Sequence, residues 1–577
     1  MAQQPIVFKS WRDLPLMAAS LGDTTVNKTG AWRNMEPHHV EQIPPCTYRC
    51  PAGNDVVSFV TLTAEGYYKE ALGVILQTSP FPATCGRVCP HPCELECNRT
   101  QYGEAINIHA IERFLGDWAR SHRPEIGTGI ANLKEKPTGK RVAIIGSGPA
   151  GLSAAYHLLL KGHSPTVFEA HPYPGGMMRL GIPSYRLPRD ILEDEIALIN
   201  SLGAEIRTRI CIGKDIPFID IYRAFDAVLI GVGLSLSRPL GIDGEEKGGV
   251  VSGTEVLRRI NLGEDPDVGQ KVLVVGGGNT AMDVARSLAR LGRSVKVMYR
   301  RSRYEMPAIA EEVEELLEEA IPIEFLATPV ALIHNSEGEL VRVKCVRMVL
   351  GKPDESGRRK PEPIPGSEFE IEVDTVITAI GETSDLNFLP EEFRETPSWN
   401  IPADGLGRTK DEKIFACGDV ADGAGTVTAA IGYGRRAAWA IDAYLTGKEL
   451  PEKVNLPPSL WNRTDHIVRF SDLNLAYFEL QERLSGGYLP PKERVKSFKE
   501  VRRDLSEDEV IREARRCFSC GTCPACDNCW IFCPDVAVHR VKDDPHRLYY
   551  VDYDYCKGCG ICAAECPRDC IEMIPVV

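Results

Sequence analysis

Short apolar runs rich in β-branched residues recur through the middle of the chain, and each ends in a glycine turn. Residues 141–151 read RVAIIGSGPAG and precede the helical pattern LSAAYHLLLKG, while residues 271–283 read KVLVVGGGNTAMD. Each combination predicts a buried strand, a tight turn and a helix. Two further runs, DAVLIGVG at 226–233 and DTVITAIGE at 374–382, predict strands that link these units. The pattern therefore predicts an α/β fold with two strand–turn–helix units.

The first glycine-rich turn has the spacing of a dinucleotide site. Gly146 permits the turn, Gly148 allows a pyrophosphate to approach the backbone, and Gly151 allows the helix to pack closely. Glu169 ends the next strand, PTVFEA, where a carboxylate can accept hydrogen bonds from a ribose. A glycine triplet alone is also compatible with a simple tight turn, but the strand context and Glu169 favour a nucleotide site.

The second glycine-rich turn repeats this arrangement, with Gly276, Gly278 and Ala281 between an apolar strand and a helix. The next strand, VKVMY, ends in arginines rather than in an acid. Guanidinium groups suit the 2′-phosphate of NADP better than a free ribose hydroxyl, so we prefer NADP over NAD. The alternative is that these arginines bind no phosphate and only form a charged, solvated face of the protein. The arginines are Arg300, Arg301 and Arg303.

A third motif lies at 414–438 and reads IFACGDVADGAGTVTAAIGYGRRAA. It places Asp419 at the end of an apolar strand and opens a new helix near Thr428. An acid at this position can hold a ribityl hydroxyl, and a helix N-terminus favours negative charge on the pyrimidine ring of a flavin. The motif therefore predicts a flavin site.

Two copies of one cysteine spacing, Cys-x2-Cys-x2-Cys-x3-Cys-Pro, lie near the C-terminus. Bacterial ferredoxins hold two [4Fe–4S] clusters with this run, and the last cysteine of each run joins the cluster of the other. A zinc site or a disulfide knot is the weaker alternative, because neither needs the run twice. The spacing predicts single-electron transfer through two clusters. Their ligands would be Cys523, Cys526, Cys529 and Cys566 for one and Cys556, Cys559, Cys562 and Cys533 for the other.

Length, charge and cysteine placement narrow the class of protein. The 577 residues are too many for a single core, and a net charge of −14 argues against nucleic acid or an anionic membrane as partner. No apolar run of about 18 residues and no signal-peptide pattern occurs, so we expect a cytoplasmic protein. The 20 cysteines cluster mainly at the two ends, which favours metal centres over disulfides.

The order of these motifs resembles the small subunit of NADPH-dependent glutamate synthase and its relatives. GSGPAG is followed by PGGMMRLGIPSYRLPRD at 174–190, by GGGNTAMD with YRRSRYEMPA at 299–308, and by ACGDVADG. In that family an FAD domain is interrupted by an NADPH domain and resumes near ACGD. The resemblance implies FAD contacts from Gly146, Gly148, Gly151, Glu169, Gly176, Arg179, Leu180, Asp419 and Thr428. It implies nicotinamide-nucleotide contacts from Gly276, Gly278, Asn279, Thr280, Ala281, Arg300 and Arg301.

The same family has an iron–sulfur domain before its FAD domain. The stretches CTYRCP at 46–51 and CGRVCPHPCELEC at 85–97 look like its ligand segments. The resemblance implies one cluster on Cys50, Cys89 and Cys93, and Glu112, in NIHAIERF, is the candidate fourth ligand.

One element of the family pattern is displaced. Many members carry Cys-x2-Cys before Cys-x3-Cys-Pro, but His38 and Glu41 stand near those positions, and a surplus Cys-x2-Cys pair lies at 517–520. We hypothesise that the tail folds back, so that a further cluster is shared by Cys46, Cys97, Cys517 and Cys520. The equally weighted alternative is that the surplus pair consists of spare thiols beside the ferredoxin clusters.

Together these parts imply an electron-transfer subunit with no catalytic side chain. A flavin between a nicotinamide site and iron–sulfur clusters converts hydride transfer into single-electron transfer. No Cys-x2-Cys lies near the nicotinamide domain, which argues against a disulfide relay. Family members with such tails resemble subunits of 2-oxoacid:acceptor oxidoreductases, so the expected partners are NAD(P)H and an iron–sulfur oxidoreductase or a ferredoxin. The alternatives are the glutamate synthase small subunit itself and a non-catalytic docking scaffold.

The expected fold class is α/β, with two interleaved Rossmann-like domains between a helical iron–sulfur domain and a small α+β ferredoxin-like domain. The expected boundaries are 1–137 for the helical domain, 138–240 and 379–447 for the FAD domain, 241–378 for the NAD(P) domain, 448–510 for a linker and 511–577 for the ferredoxin domain. Alternation in VAVHRVKDDPHRLYYVDYDY around a DDP turn predicts a hairpin in the last domain. Cys570 exceeds the eight cluster ligands and has no assigned role.

Overall fold

The computed structural model describes residues 9–10, 13, 28–354, 357–394, 400–423, 425–450, 452–463, 465–541 and 548–576. The chain forms two compact units. The main unit consists of Pro45–Asn462 and Leu480–Cys517, and the tail unit of Met1–Pro44, Arg463–Glu479 and Phe518–Val577. The stretch predicted as a linker at 448–510 is therefore divided between the two units.

The first part of the chain is helical after one short strand. Asp55 and Asn107 cap two of its helices by accepting hydrogen bonds from the backbone N–H groups of Ser58 and Ala110. The apolar faces of these helices form one core around residues such as Phe59 and Ile111. The elements are β1 (Met35–His39), α1 (Pro45–Arg49), α2 (Val56–Ala64), α3 (Tyr68–Leu76), α4 (Pro82–Val88), α5 (Pro92–Leu95), α6 (Ile108–Ser121) and α7 (Arg123–Ala131).

A parallel sheet with its helices follows. Its strands Arg141–Ile145 and Ala227–Ile230 are almost fully buried, as expected for central strands of a parallel sheet covered on both faces. The elements are β2 (Arg141–Ile145), α8 (Pro149–Leu160), β3 (Ser164–Phe168), α9 (Met177–Leu180), α10 (Arg189–Ser201), β4 (Glu205–Arg207), α11 (Phe218–Ala224), β5 (Ala227–Ile230) and the short β6 (Leu236–Ser237).

A second parallel sheet is inserted in the chain after β6, and antiparallel strands extend this region. The elements are β7 (Val250–Ser252), α12 (Gly253–Leu262), β8 (Lys271–Val275), α13 (Asn279–Arg290), β9 (Ser294–Tyr299), α14 (Ala310–Glu318), β10 (Ile323–Phe325), β11 (Ala327–His334), β12 (Leu340–Pro353), β13 (Arg359–Pro363), β14 (Phe369–Glu372) and β15 (Thr375–Thr378). The parallel strands have the order β10-β9-β8-β15-β7, while β12 pairs antiparallel with β11, β13 and β14.

The chain then returns to the first sheet. Strand β17 (Ile414–Ala416) joins β5, giving the order β17-β5-β2-β3-β4, and β16 (Glu382–Thr383) pairs with β6. Thr426 caps the long helix that follows by accepting a hydrogen bond from the N–H of Ala429. The elements are β16 (Glu382–Thr383), β17 (Ile414–Ala416), α15 (Val427–Thr446), α16 (Pro491–Arg494) and α17 (Glu507–Arg515). The fold class is therefore α/β with parallel sheets, as predicted.

The tail unit is small and has short elements: α18 (Asn528–Ile531), β18 (Val538–Arg540), β19 (Tyr549–Val551), α19 (Ile561–Ala564) and β20 (Ile571–Pro575). Strands β18 and β19 pair antiparallel, and the predicted DDP turn between them lies outside the described residues. Strand β20 pairs antiparallel with β1, from the other end of the chain.

Single 3₁₀ turns join several elements at Thr29–Trp32, Asn98–Gln101, Glu245–Lys247, Arg303–Glu305, Glu391–Phe393, Gly418–Val420, Pro458–Leu460, Phe470–Asp472 and Leu475–Tyr477. Among the described residues, none of the helices combines the length and the apolar character that a bilayer span requires.

Candidate functional site

A cavity of about 980 Å³ in the main unit brings the sequence motifs together. It lies at the carboxyl ends of the parallel strands, where ligands of open α/β sheets bind. Its lining contains Gly146, Gly148, Glu169, Gly176, Leu180 and Asp419 from the predicted FAD set, and Asn279 and Thr280 from the predicted nicotinamide set. The N-termini of α8, α13 and α15 border the same cavity, and each of them favours an anionic group.

The first glycine-rich turn is shaped so that side chains are excluded at two positions. Gly146 has a φ of +103°, and a Cβ atom there would lie 2.5 Å from the carbonyl oxygen of Gly231. A Cβ atom on Gly151 would lie 2.1 Å from the carbonyl oxygen of Gly146. Gly148, by contrast, faces nearly open space, with its nearest neighbour at 4.0 Å. The backbone at Gly148 is therefore accessible to a ligand, while the other two glycines allow close packing.

The second turn repeats this division of roles. A Cβ atom on Gly276 would lie 2.2 Å from the carbonyl oxygen of Ala379, whereas Gly278 has nothing within 4 Å. Ala281 is fully buried in α13. Gly278 is thus the accessible backbone position at this turn.

The loop at 174–181 is pressed against the first turn. Gly176 has a φ of +51°, and a Cβ atom there would lie 2.6 Å from the Cα atom of Gly148. Leu180 lines the cavity, but the guanidinium group of Arg179 forms an ion pair with Glu193. Thr428 is buried behind the lining, and its hydroxyl lies 3.9 Å from Sγ of Cys85.

The carboxylate of Glu169 is held in place by the first turn. Its Oε2 atom accepts hydrogen bonds from the backbone N–H and the hydroxyl of Ser147, and its Oε1 atom accepts one from the N–H of His171. Glu169 is buried but lines the cavity. These contacts fix an acceptor where a ribose would lie in a dinucleotide site.

Two carboxyl groups face the region between the two turns. Burial raises the pKa of Asp419, which accepts a hydrogen bond from the N–H of Gly425. Burial also raises the pKa of Glu382, and the charge of Asp419 adds to this effect. The hydroxyl of Thr280 donates to Glu382 at 3.4 Å. Sequence analysis did not single out Glu382, although it directly follows the glycine that ends the DTVITAIG run.

A buried ion pair joins the loop before α10 to helix α13, both within the main unit. Arg186 donates to Asp283 at 2.8 Å and forms an ion pair with Glu312 at 2.8 Å. Both Arg186 and Asp283 line the cavity. Each lies in a quoted motif, but the partnership depends on tertiary contact and has no sequence signal of its own.

The arginines after β9 have different environments. Arg301 is buried, and its guanidinium group donates to the carbonyl oxygen of Arg359 at 2.8 Å and to the carboxylate of Asp354. Arg303 forms an ion pair with Glu314. Arg300 is exposed and has no ion-pair partner within the described part of the chain. Arg300 is therefore the member of this group with a guanidinium available to an external phosphate.

The predicted ligands of the N-terminal cluster lie close together in the main unit. Burial raises the pKa of Cys50 to about 11 and that of Cys89 to about 12, and the neighbouring Glu112 adds to both effects. The thiol of Cys93 is within electrostatic reach of both. Burial likewise raises the pKa of Glu112 to about 8, and its Oε1 atom accepts a hydrogen bond from Asn54 at 3.2 Å.

Three of the four thiols proposed to share a further cluster pack around one core. Cys46 belongs to the core of the helical region, and Cys97 and Cys517 pack against it. Arg99 lies within electrostatic reach of both Cys97 and Cys517. Cys520 follows three residues later and belongs to the tail unit.

In the tail unit the two predicted ligand sets surround two separate small cavities of about 20 Å³ each. Cys523, Cys526, Cys529 and Cys566 border one of them together with Cys570. Cys533, Cys556, Cys559 and Cys562 border the other. Burial raises the pKa of Cys529 and of Cys562 to about 12 each, with the neighbouring thiols adding to the effect.

These donor sets fit the groups that the sequence implies. Thiols that converge on a small cavity suit iron, because their deprotonated sulfur atoms are the ligands that iron–sulfur clusters require. Accessible glycine backbone at helix N-termini suits the pyrophosphates of dinucleotides.

Comparison with protein families agrees with this arrangement. Residues 140–434 match the pyridine nucleotide-disulphide oxidoreductase family. Residues 39–124 match dihydropyrimidine dehydrogenase domain II, described as containing a 4Fe-4S cluster, and residues 549–572 match the 4Fe-4S binding domain.

Curated relatives match over most of the chain. The beta subunit of an NADPH-Fe(3+) oxidoreductase from Geobacter sulfurreducens is 38% identical over 516 residues, covering 82% of this chain and 75% of the relative. The beta subunit of an NADP(+)-dependent formate dehydrogenase from Moorella thermoacetica is 40% identical over 499 residues, covering 82% and 70%. The small chain of glutamate synthase [NADPH] from Escherichia coli is 34% identical over 423 residues, covering 68% and 87%. The chain therefore belongs to the glutamate synthase small-chain-like family of FAD- and NAD(P)H-dependent oxidoreductases, with 4Fe-4S domains on both sides of its nucleotide-binding region.

Proposed function

We propose that this chain is the electron-transfer subunit of a larger redox complex, in which electrons pass between NAD(P)H and an iron–sulfur partner. One observation carries the proposal. The cavity lined by the first glycine-rich turn and by Asn279 and Thr280, at the start of α13, is also lined by Val88 and Pro90, the two neighbours of Cys89. This lining supports the proposal that the nucleotide, the flavin and an iron–sulfur cluster bind around one space. FAD, when bound, supplies the change from hydride transfer to single-electron transfer.

In this proposal the side chains and backbone of the protein bind and orient the two cofactors and do not themselves react. The backbone at Gly148 and Gly278 would hold the two pyrophosphates, and Glu169 would hold a ribose. Asp419 and Glu382 would hold polar groups between the two sites. Val88 and Pro90 line the cavity beside Cys89 and would shield that side from water once the cofactors are bound. Positioning of the two cofactors is the main contribution of the protein to such a reaction.

The finer assignments follow the same proposal. FAD would bind to the parts of the chain at 138–240 and 379–447, and the nicotinamide nucleotide to 241–378. We propose one cluster on Cys50, Cys89, Cys93 and Glu112, and a further cluster on Cys46, Cys97, Cys517 and Cys520. The convergence of Cys46, Cys97 and Cys517 on one core supports the second of these.

The proposed partner is an iron–sulfur oxidoreductase subunit or a ferredoxin. Two of the relatives are named as beta subunits, which supports a larger complex. The exposed guanidinium of Arg300, together with the names of these relatives, supports NADP over NAD.

Anaerobic titration of the purified chain, with FAD and iron at full occupancy, tests this function. NADPH and NADH are added separately while flavin absorbance and the electron-spin signals of the clusters are followed, and dithionite serves as the positive control. We expect NADPH to bleach the flavin and cluster signals to follow. If dithionite reduces flavin and clusters but neither nucleotide does, the proposal is wrong and the docking scaffold is favoured.

A further inference from the structure

The segment 488–502, which we call the strap, falls within the predicted linker but contacts several helices of the main unit. Its residue Glu500 accepts a hydrogen bond from Nε of Arg87 at 2.8 Å and forms an ion pair with Arg113 at 3.0 Å. Arg87 lies in α4, which shares one hydrophobic core with β2 and α8 of the first parallel sheet. The strap is therefore anchored to the region that contains the first glycine-rich turn.

The backbone of the strap also binds the loop before α10. The N–H of Val501 donates to the carbonyl oxygen of Tyr185 at 3.0 Å, and the hydroxyl of Ser184 donates to the carbonyl oxygen of Phe498 at 3.4 Å. The ring of Tyr185 is fully buried, and the guanidinium group of Arg290, in α13, lies 3.9 Å from its centroid. The loop that the strap binds is thus in contact with the helix of the second glycine-rich turn.

Two arginines of the strap bind helix α14. Arg494 forms an ion pair with Glu318 at 2.8 Å, and Arg502 forms one with Glu311 at 2.6 Å. Both guanidinium groups lie over the ring of Tyr488, 5.1 and 5.4 Å from its centroid, and Arg502 also donates to its hydroxyl at 2.9 Å. Tyr488 therefore orients both arginines towards one face of α14.

Helix α14 is joined directly to the second glycine-rich turn. The N–H of Ala308 donates to the carbonyl oxygen of Gly277 at 3.1 Å, and the N–H of Ile309 donates to Oδ1 of Asn279 at 2.9 Å. Ile309 and Asn279 both line the cavity of about 980 Å³. Buried residues of α14 share one core with β8 and α13. A contact that holds α14 therefore also holds the second turn.

These contacts are better suited to orienting the two regions than to stabilising the fold. The side chains of Glu311 and Glu318 are 58% and 53% exposed, and ion pairs with exposed carboxylates add little to stability. Orientation has a larger effect on a transfer between two bound cofactors, because a small misplacement of the reacting groups slows the transfer even when binding is intact.

We propose that Arg494 and Arg502 are positioning residues for hydride transfer between the nicotinamide nucleotide and the flavin. Through α14 they hold the second glycine-rich turn in one orientation relative to the first. They exchange no atom or electron with either cofactor. The proposal rests on the two nucleotide sites assigned under the proposed function.

The proposal predicts separate effects on binding and on transfer. The groups that would bind the nucleotide, such as the backbone at Gly278 and the guanidinium of Arg300, belong to the same region as α14 and would move with it. Release of the strap should therefore leave the affinity for NADPH unchanged and slow the reduction of the flavin.

The first test is rapid-mixing reduction of the full chain by NADPH without oxygen, with FAD and iron at full occupancy. In Arg502→Glu we expect the rate constant of flavin bleaching at saturating NADPH to fall severalfold, with an unchanged half-saturating concentration. Adding Glu311→Arg restores an ion pair of reversed sign and should recover most of the rate. Arg503→Gln is the matched control, because this exposed neighbour forms no ion pair within the described part of the chain.

A second variant changes only the exposed side of these ion pairs. Replacing Glu311 and Glu318 together by glutamine leaves the strap itself intact and should lower the rate constant in the same way. Hydrogen exchange at the amide of Val501 is a readout that needs no nucleotide. It should become faster in Arg502→Glu and in the double glutamine variant, and stay slow in Arg503→Gln.

Several results would overturn the proposal. Unchanged bleaching in both strap variants would show that the ion pairs do not position the turn, and unchanged exchange would show that they do not hold the strap. A rate that Glu311→Arg fails to restore, or a loss of FAD or iron in the double glutamine variant, would identify a purely structural role. A wild-type chain that dithionite reduces and NADPH does not would contradict the proposed function instead, while the exchange rates would still decide whether the ion pairs hold the strap.

Discussion

At the scale of single residues, the proposed preference for NADP depends on the arginines that follow β9. The arginines at 300, 301 and 303 are alike in sequence, but only the first is both exposed and without an ion-pair partner among the described residues. Partial burial lowers the pKa of Arg300, and the neighbouring cations Arg301 and Arg358 add to this effect. The guanidinium of Arg300 suits the 2′-phosphate that distinguishes NADP from NAD.

Substitution of Arg300 tests this role. We expect Arg300→Gln to raise the KM for NADPH about tenfold and to leave the KM for NADH unchanged, because a lost charged hydrogen bond costs about 1.5 kcal/mol or more. Arg303→Gln is the matched control, since it removes the same charge from the same loop and should leave the ratio of the two KM values unchanged. Equal losses for both nucleotides in Arg300→Gln would contradict the assignment.

The sequence was informative about residues whose position follows from local geometry. Gly148 and Asp419 line the cavity, and their positions could be predicted because a strand, a turn and a helix define where they lie. Glu382 and Arg186 could not, because their positions in the cavity depend on β16 pairing with β6 and on contact between the two nucleotide units. The sequence also could not show that the guanidinium group of Arg301 is already paired, because its partner Asp354 lies 53 residues later in the chain.

At the level of elements, helix α15 packs closely against both the loop that carries Cys50 and the helix of the first glycine-rich turn. A Cβ atom on Gly432 would lie 1.9 Å from the carbonyl oxygen of Pro51, next to Cys50. A Cβ atom on Gly434 would lie 2.1 Å from the carbonyl oxygen of Ala150, in α8. These two glycines allow α15 to contact both the cysteine-bearing loop and the helix of the first glycine-rich turn.

Replacing Gly434 by alanine should therefore destabilise the folded protein. Because the clash is with backbone, Gly434→Ala should lower the free energy of unfolding by about 1–3 kcal/mol and weaken FAD retention. Gly73→Ala is the matched control, since Gly73 lies in α3 with nothing within 4 Å and the same change should be neutral or slightly stabilising. Denaturant unfolding measures both variants, and equal stability of the two would refute the packing argument.

At the level of the whole molecule, the α/β class and the family were predictable because they depend on local periodicity and on the order of motifs. The division of the long segment after α15 between the main unit and the tail unit was not predictable. Residues 463–479 belong to the tail unit and 480–517 to the main unit, although most of both stretches falls within the single linker predicted at 448–510. Composition reports that such a segment lacks a core of its own, but not which surface it covers.

The shared cluster is a prediction at this scale, because its proposed ligands come from both ends of the chain. Replacing Cys517 and Cys520 together by serine should lower the iron content by about four atoms per chain. The matched control replaces Cys211 and Cys345, two isolated thiols, and should keep the full content. Iron analysis of the purified chains decides between the alternatives, and an unchanged content in the first variant would identify Cys517 and Cys520 as spare thiols.

The nesting of the sheets has a consequence for synthesis on the ribosome. Strand β17 follows the whole inserted sheet, so the nascent chain contains every strand from β7 to β15 before the first sheet has its edge strand. Strand β1 waits longer still, because its partner is β20. An unpaired strand edge is a template for association with other chains. Nascent copies of this protein therefore present an open edge near their N-terminus until residues 571–575 have left the ribosome.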